Sequence, residues 1–107
     1  MKFIFLGKYS NEGLSGFLKN PSQDRKSIIL SMMEKAGGVL DDIFLTRGTY
    51  DVVVVGSAND FETVGAIKLV IMSTGAFDEA VILEETDFKK IAQKASEITS
   101  FYKSPNS

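Results

Sequence analysis

Four consecutive valines, Val52-Val53-Val54-Val55, follow Gly48-Thr49-Tyr50-Asp51 and limit this 107-residue chain more than any other stretch. β-Branched side chains are stiff at χ1 and fit a pleated surface, so the run predicts a strand. Alternation puts Tyr50, Val52 and Val54 on one face and Asp51, Val53 and Val55 on the other. Both faces are therefore apolar, whereas a sheet with one wet face alternates apolar with polar residues. A fold for this chain must cover both sides of that strand. Gly48, which takes positive φ without steric cost, predicts the tight turn that feeds it.

The remaining elements fall around this strand. Residues 2–8 are apolar at nearly every position and predict a first strand. Residues 11–21 contain Gly13, Gly16 and Pro21 and read as a loop. Ser22 opens a helix to about Ala36, whose stripe is Ile28, Ile29, Met32, Met33 and Ala36 and whose end is Gly37-Gly38. A second strand spans 39–46, and Arg47-Gly48-Thr49 is the hairpin connection to the valine strand. Asn59 or Asp60 caps the next helix, with Phe61, Val64, Ile67 and Ile71 facing inward, Lys68 at the margin of that face, and Gly75 closing it. A fourth strand spans 77–85. Thr86 or Asp87 caps a last helix with Phe88, Ile91, Ala95, Ile98 and Tyr102 on one face. Residues 103–107 have the composition of a flexible tail after a single domain over 1–102.

The order β-α-β-β-α-β plus a C-terminal helix points to an α+β, ferredoxin-like antiparallel sheet with the first and third strands in the middle. The second and fourth strands carry Asp41, Asp42, Asp78, Glu79, Glu84 and Glu85, as sheet edges that resist stray pairing do. Two helices cover one face of such a sheet. The second apolar face then calls for another copy of the chain, a homodimer or larger.

Gly48, Tyr50 and Asp51 before the valine strand resemble the Gly-x-Tyr-Asp signature of the GYD domain family. Leu6-Gly7-Lys8-Tyr9 with Glu12-Gly13, and Gly37-Gly38 before Phe44-Leu45-Thr46, match further blocks in the same order. The resemblance runs over roughly residues 2 to 95. It implies a ferredoxin-like domain of the dimeric α/β barrel type, and it carries no settled activity with it. Residues 14–21 are longer than the usual family segment.

Composition removes many chemistries. The chain has no histidine and no cysteine, so the common general base, thiol nucleophile, and zinc and haem ligands are missing. No cofactor or metal is expected, and no phosphate-binding glycine loop occurs. A net charge of −2 gives no electrostatic reason for nucleic acid or anionic membrane as a partner. The first apolar run stops at Gly7-Lys8, too short for a signal peptide or a membrane span, and a cytoplasmic location is the default expectation. Tyr50, Asp51, Lys8 and Arg47 are the candidate ligand-binding residues. A phenol and a carboxylate at a cavity mouth can polarise a small ligand, with Lys8 or Arg47 clamping its carboxylate. The competing account is structural: Asp51 accepts turn amides or pairs with Lys8 or Arg47, and Tyr50 fills the core or the interface. The functional expectation is a non-catalytic, self-associating domain that binds a small ligand between sheet and helices. The alternative is a cofactor-independent enzyme, monooxygenase- or isomerase-like, acting on a small organic substrate.

Overall fold

The computed structural model describes residues 1–106. Strand β1 (Lys2–Tyr9) is followed by helices α1 (Asn11–Lys19) and α2 (Arg25–Ala36). Strands β2 (Val39–Leu45) and β3 (Val52–Ser57) form a hairpin, then come α3 (Phe61–Ser73), β4 (Phe77–Glu84) and α4 (Phe88–Ile98), with a short 3-10 turn at Thr99–Phe101. The sheet order is β2-β3-β1-β4, all antiparallel, so β1 and β3 lie in the middle and the acidic strands at the edges. This is the expected α+β ferredoxin-like arrangement.

One face of the sheet is packed. Phe3, Phe5 and Tyr9 of β1 and Val52 and Val54 of β3 are buried, joined by Met33 from α2 and by Val64 and Ile67 from α3. Alternation sends Ile4, Leu6, Val53 and Val55 to the opposite face, where they are half-buried, while Phe44 and Leu83 beside them are exposed. Among the described residues no helix buries that side, and the valine strand is apolar on both faces as its sequence requires.

Each edge strand carries one extra residue. Leu40 pairs with Gly56 and Asp42 with Val55, so Asp41 is the bulge in β2. Lys8 pairs with Glu79 and Tyr9 with Phe77, so Asp78 is the bulge in β4. A bulge breaks the two-residue side-chain period. Phe77, opposite Tyr9, therefore shares the covered face with Ala80 and Ile82, although it is an even number of residues from Glu79 on the other face.

The loop expected over 11–21 is instead mostly helix. Ser10 is its N-cap, its hydroxyl accepting from the Gly13 amide. The same hydroxyl donates to the Gly75 carbonyl at 2.6 Å, and the Ser10 amide donates to Ala76 at 2.9 Å. Gly13 does not break the helix because close approach demands it: an added Cβ would lie 2.2 Å from the Ala76 carbonyl oxygen. Asp24, rather than Ser22, caps α2, holding the Ser27 amide at 3.1 Å. Asp60 caps α3 and Asp87 caps α4. The cap bonds from Ser27 and Thr63 hold the Asp24 and Asp60 carboxyls below their usual range. Phe61 points outward, 57% exposed, not inward as its spacing suggested.

α4 departs most from expectation. Its apolar face forms, but no residue of it is buried; Phe88 is 76% exposed. The molecule measures 59 Å along its longest axis, and the radius of gyration of 18.1 Å exceeds the ~13 Å of a compact chain this long. Of the tail expected over 103–107, residue 107 lies outside the described residues. No helix among the described residues is long and apolar enough to cross a membrane.

Candidate functional site

The hairpin between β2 and β3 turns at Gly48, whose φ is +137°. The turn is closed by the Thr46 amide donating to the Asp51 carbonyl at 2.8 Å, and the Thr46 hydroxyl donates to the Tyr50 carbonyl. Tyr50 leaves the turn away from the core, and its hydroxyl donates to Glu79 Oε1 at 3.1 Å. That bond to a carboxylate, with some burial, holds the Tyr50 phenol above its ordinary pKa. Asp51 points back at β1. Its amide donates to the Gly7 carbonyl at 2.8 Å, and its Oδ2 accepts the Tyr9 amide at 2.9 Å. The carboxylate thus extends the β1–β3 ladder one step past its last pair, Gly7 with Val52. Among the described residues Asp51 pairs with neither Lys8 nor Arg47. Lys8 and Arg47 are exposed, Lys8 opposite Glu79 in the strand register.

The enclosed space lies elsewhere, between the packed sheet face and helices α2 and α3. It is a cavity of about 30 Å³, walled by Phe5, Val52, Val54, Ile29, Ile71 and Phe77 among others. Lys8, Arg47, Tyr50 and Asp51 do not line it. Three polar residues do: Tyr9, Arg25 and Lys68. Each is placed by its element. Tyr9 ends β1, and its ring stacks on Phe77 at 4.7 Å and meets Phe17 of α1 edge-on at 5.3 Å. Arg25 is the first residue of α2, and its Nη1 donates to Gln23 Oε1 at 3.3 Å. Lys68 follows buried Ile67 on α3, at the margin of the inward face. Burial raises the Tyr9 phenol pKa, against the opposing charge and hydrogen bond of Arg25; Asp51 adds a smaller upward push. The Tyr9 hydroxyl is thus a phenol at neutral pH, a hydrogen-bond donor rather than a base.

Met32 and Ile67 line this cavity and also an open groove of about 490 Å³ between α2 and α3. They form the partition between solvent and the enclosed space. A methionine there is a deformable wall, because its unbranched thioether repacks at little cost. Among the described residues no group of three or more potential ligands is placed to hold a metal.

Reading from the sequence alone missed Tyr9 and Arg25 as site residues and placed Lys68 only at a helix margin. Lys68 carried a usable signal, a cation on an otherwise apolar helix face. Arg25 carried none, because its orientation depends on where α2 begins.

The sheet order and the single covered face define an α+β domain of the ferredoxin-like type. The GYD domain family model matches residues 3–95, and the chain belongs to that family. Among solved structures, 5-chloro-2-hydroxyhydroquinone dehydrochlorinase from Burkholderia phenoliruptrix, in complex with 2,5-dihydroxybenzoquinone, is similar in fold. The TM-score is 0.54 at 14% sequence identity, over 80% of this chain and 94% of that one. No functionally curated protein matches the sequence.

Proposed function

We propose that the chain is a non-catalytic, self-associating domain that binds a small ligand between its sheet and its helices. The observation that carries this reading is the cavity: an apolar enclosure bordered by three polar side chains, with a deformable wall toward solvent, as ligand sites are commonly built. Its small volume has room for a water or two, so an organic ligand enters by displacing Met32.

Self-association rests on the other side of the sheet. Ile4, Leu6, Val53, Val55, Phe44 and Leu83 form an apolar surface that a second sheet of the same kind covers at about 10 Å spacing. A second copy would also offer α4 the apolar contact it lacks within its own chain. Sedimentation equilibrium at micromolar concentration tests this part; a single species at 11.7 kDa refutes it. Thermal-shift screening against small organic acids, amines and neutral metabolites tests the cavity, and a response to none of them refutes it.

One feature of the comparison favours a second reading. The structural neighbour is described as an enzyme holding an organic ring compound, which keeps a cofactor-independent enzyme on a small organic substrate as the alternative. In that reading Tyr9 is the proton donor, since the cavity has no other group able to give up a proton except its two cations. Conversion of a screened ligand by the wild-type chain, abolished in Tyr9→Phe, would replace the binding reading with this one.

A further inference from the structure

Arg25 and Lys68 line the same cavity, both half-buried, and no acidic residue lines it with them. Neither is ion-paired to a carboxylate among the described residues; Arg25 donates to the neutral amide oxygen of Gln23 and stands against the Tyr9 hydroxyl. A charge beside apolar surface loses solvation and is normally compensated by an opposite charge. Here the stems of two cationic side chains border one almost wholly apolar enclosure, and no carboxylate is among the residues that line it. The Tyr9 hydroxyl, protonated and beside Arg25, adds a neutral donor among the residues that line the cavity. Two cations and a phenol donor with no acceptor carboxylate match a ligand rich in acceptor oxygens.

Resting on the cavity reading above, we infer that the ligand is a small monoanion, a carboxylate or an acidic phenol or enol, with a compact apolar body. Its negative head lies between Arg25 and Lys68 and accepts from Tyr9. Its apolar part takes the space beside Ile29, Ile71 and Phe77 and pushes Met32 toward the groove between α2 and α3. The guanidinium offers a planar fork suited to two oxygens, and the lysine a mobile point charge. The plain alternative is that both stems merely cover apolar surface while their heads reach for water.

The test titrates the full chain with benzoate and butyrate, and with their neutral shape-matched amides benzamide and butyramide, following backbone amide resonances by NMR. Each acid is expected to shift resonances of cavity residues and to saturate, with its amide at least about tenfold weaker and acid binding falling as salt rises. Arg25→Gln and Lys68→Gln are each expected to weaken the acids about tenfold and leave amide binding and melting temperature nearly unchanged. Lys68→Met serves as an uncharged variant with a matching stem should a glutamine there disturb packing. Amides that bind as well as their acids, or variants that retain acid affinity, overturn the anion inference and leave the cavity reading standing. Absence of cavity shifts with all four compounds overturns both.

Discussion

Replacing Asp51 separates a structural role for the signature from a ligand-binding one. Its Oδ2 holds the Tyr9 amide at 2.9 Å, in a place where the β1–β3 ladder has already ended and no backbone carbonyl takes over. A hydrogen bond to a charged group contributes about 1.5–3 kcal/mol, and a half-exposed site falls at the lower end. Asp51→Asn keeps an acceptor oxygen and should cost about 1 kcal/mol or less, the difference between a charge-assisted and a neutral bond. Asp51→Leu leaves the Tyr9 amide unsatisfied beneath an apolar side chain and should cost about 1–3 kcal/mol. At roughly 4–8 °C per kcal/mol for a domain of this size, the two variants are resolvable by melting temperature. Urea unfolding at one fixed protein concentration is the assay, because self-association makes stability concentration-dependent. A Leu variant within about 0.5 kcal/mol of wild type would refute the reasoning, that being the scatter of neutral surface changes. Normal melting with lost ligand response would move Asp51 to the binding site instead.

Gly48→Ala should destabilise by about 1 kcal/mol through its +137° φ alone, since an added Cβ meets no atom within 4 Å. Gly13→Ala should cost more in the same urea assay, because its Cβ would sit 2.2 Å from the Ala76 carbonyl oxygen and force α1 off the turn before β4. Val53→Lys on the uncovered sheet face should yield a folded monomer by sedimentation, with the far-UV circular dichroism of the wild type; an unchanged oligomer refutes the sheet-to-sheet pairing. Removing residues 86–107 should change urea stability of the monomeric Val53→Lys background by about 1 kcal/mol or less, as no residue of α4 is buried. Tyr9 has a folded pKa raised above 10.0, so its share of stability is full below that pH and is lost as pH rises through the folded value. Urea midpoints from about pH 8 to pH 11 should therefore fall more steeply for wild type than for Tyr9→Phe.

The sheet was legible because its signals are local. Four valines, the Gly48 turn and the glycine after α2 each act within a few residues, and the acidic residues of β2 and β4 mark edges without any knowledge of their neighbours. α1 was not legible as a helix because Gly13 and Gly16 look like breakers in isolation. Only the contact with Ala76, 63 positions later in the chain, explains why Gly13 belongs inside a helix. The face of α4 was read as running from Phe88 to Tyr102, whereas the helix ends at Ile98 and Tyr102 falls beyond it; and periodicity does not say what covers a face. The site was the least legible part. The signature Tyr50-Asp51 drew attention as a phenol beside a carboxylate, whereas both side chains are engaged in hydrogen bonds to β4 and β1. The cavity's polar residues come from β1, α2 and α3, and no sequence pattern brings Tyr9, Arg25 and Lys68 together.

The signature and the cavity are nevertheless connected through Tyr9. Asp51 binds the backbone of Tyr9, not its ring, and so fixes the last residue of β1 in extended geometry after its strand pairing with β3 has stopped. That holds the ring on the covered face, in line with Phe3 and Phe5. Across from it, the bulge at Asp78 turns Phe77 to the same face, where its ring stacks against Tyr9. Without the extra residue, strand alternation would place Phe77 on the open face with Glu79, and one wall of the cavity would be missing. The acidic residue at that bulge therefore has two consequences: it discourages pairing at the sheet edge and it re-aims an aromatic side chain inward. The bulge at Asp41 does the same for β2, setting Leu40 and Ile43 both on the covered face, and Ile43 lines the cavity. The shape of the enclosure thus depends on two irregularities at the sheet edges and on one carboxylate that ties the hairpin turn to β1.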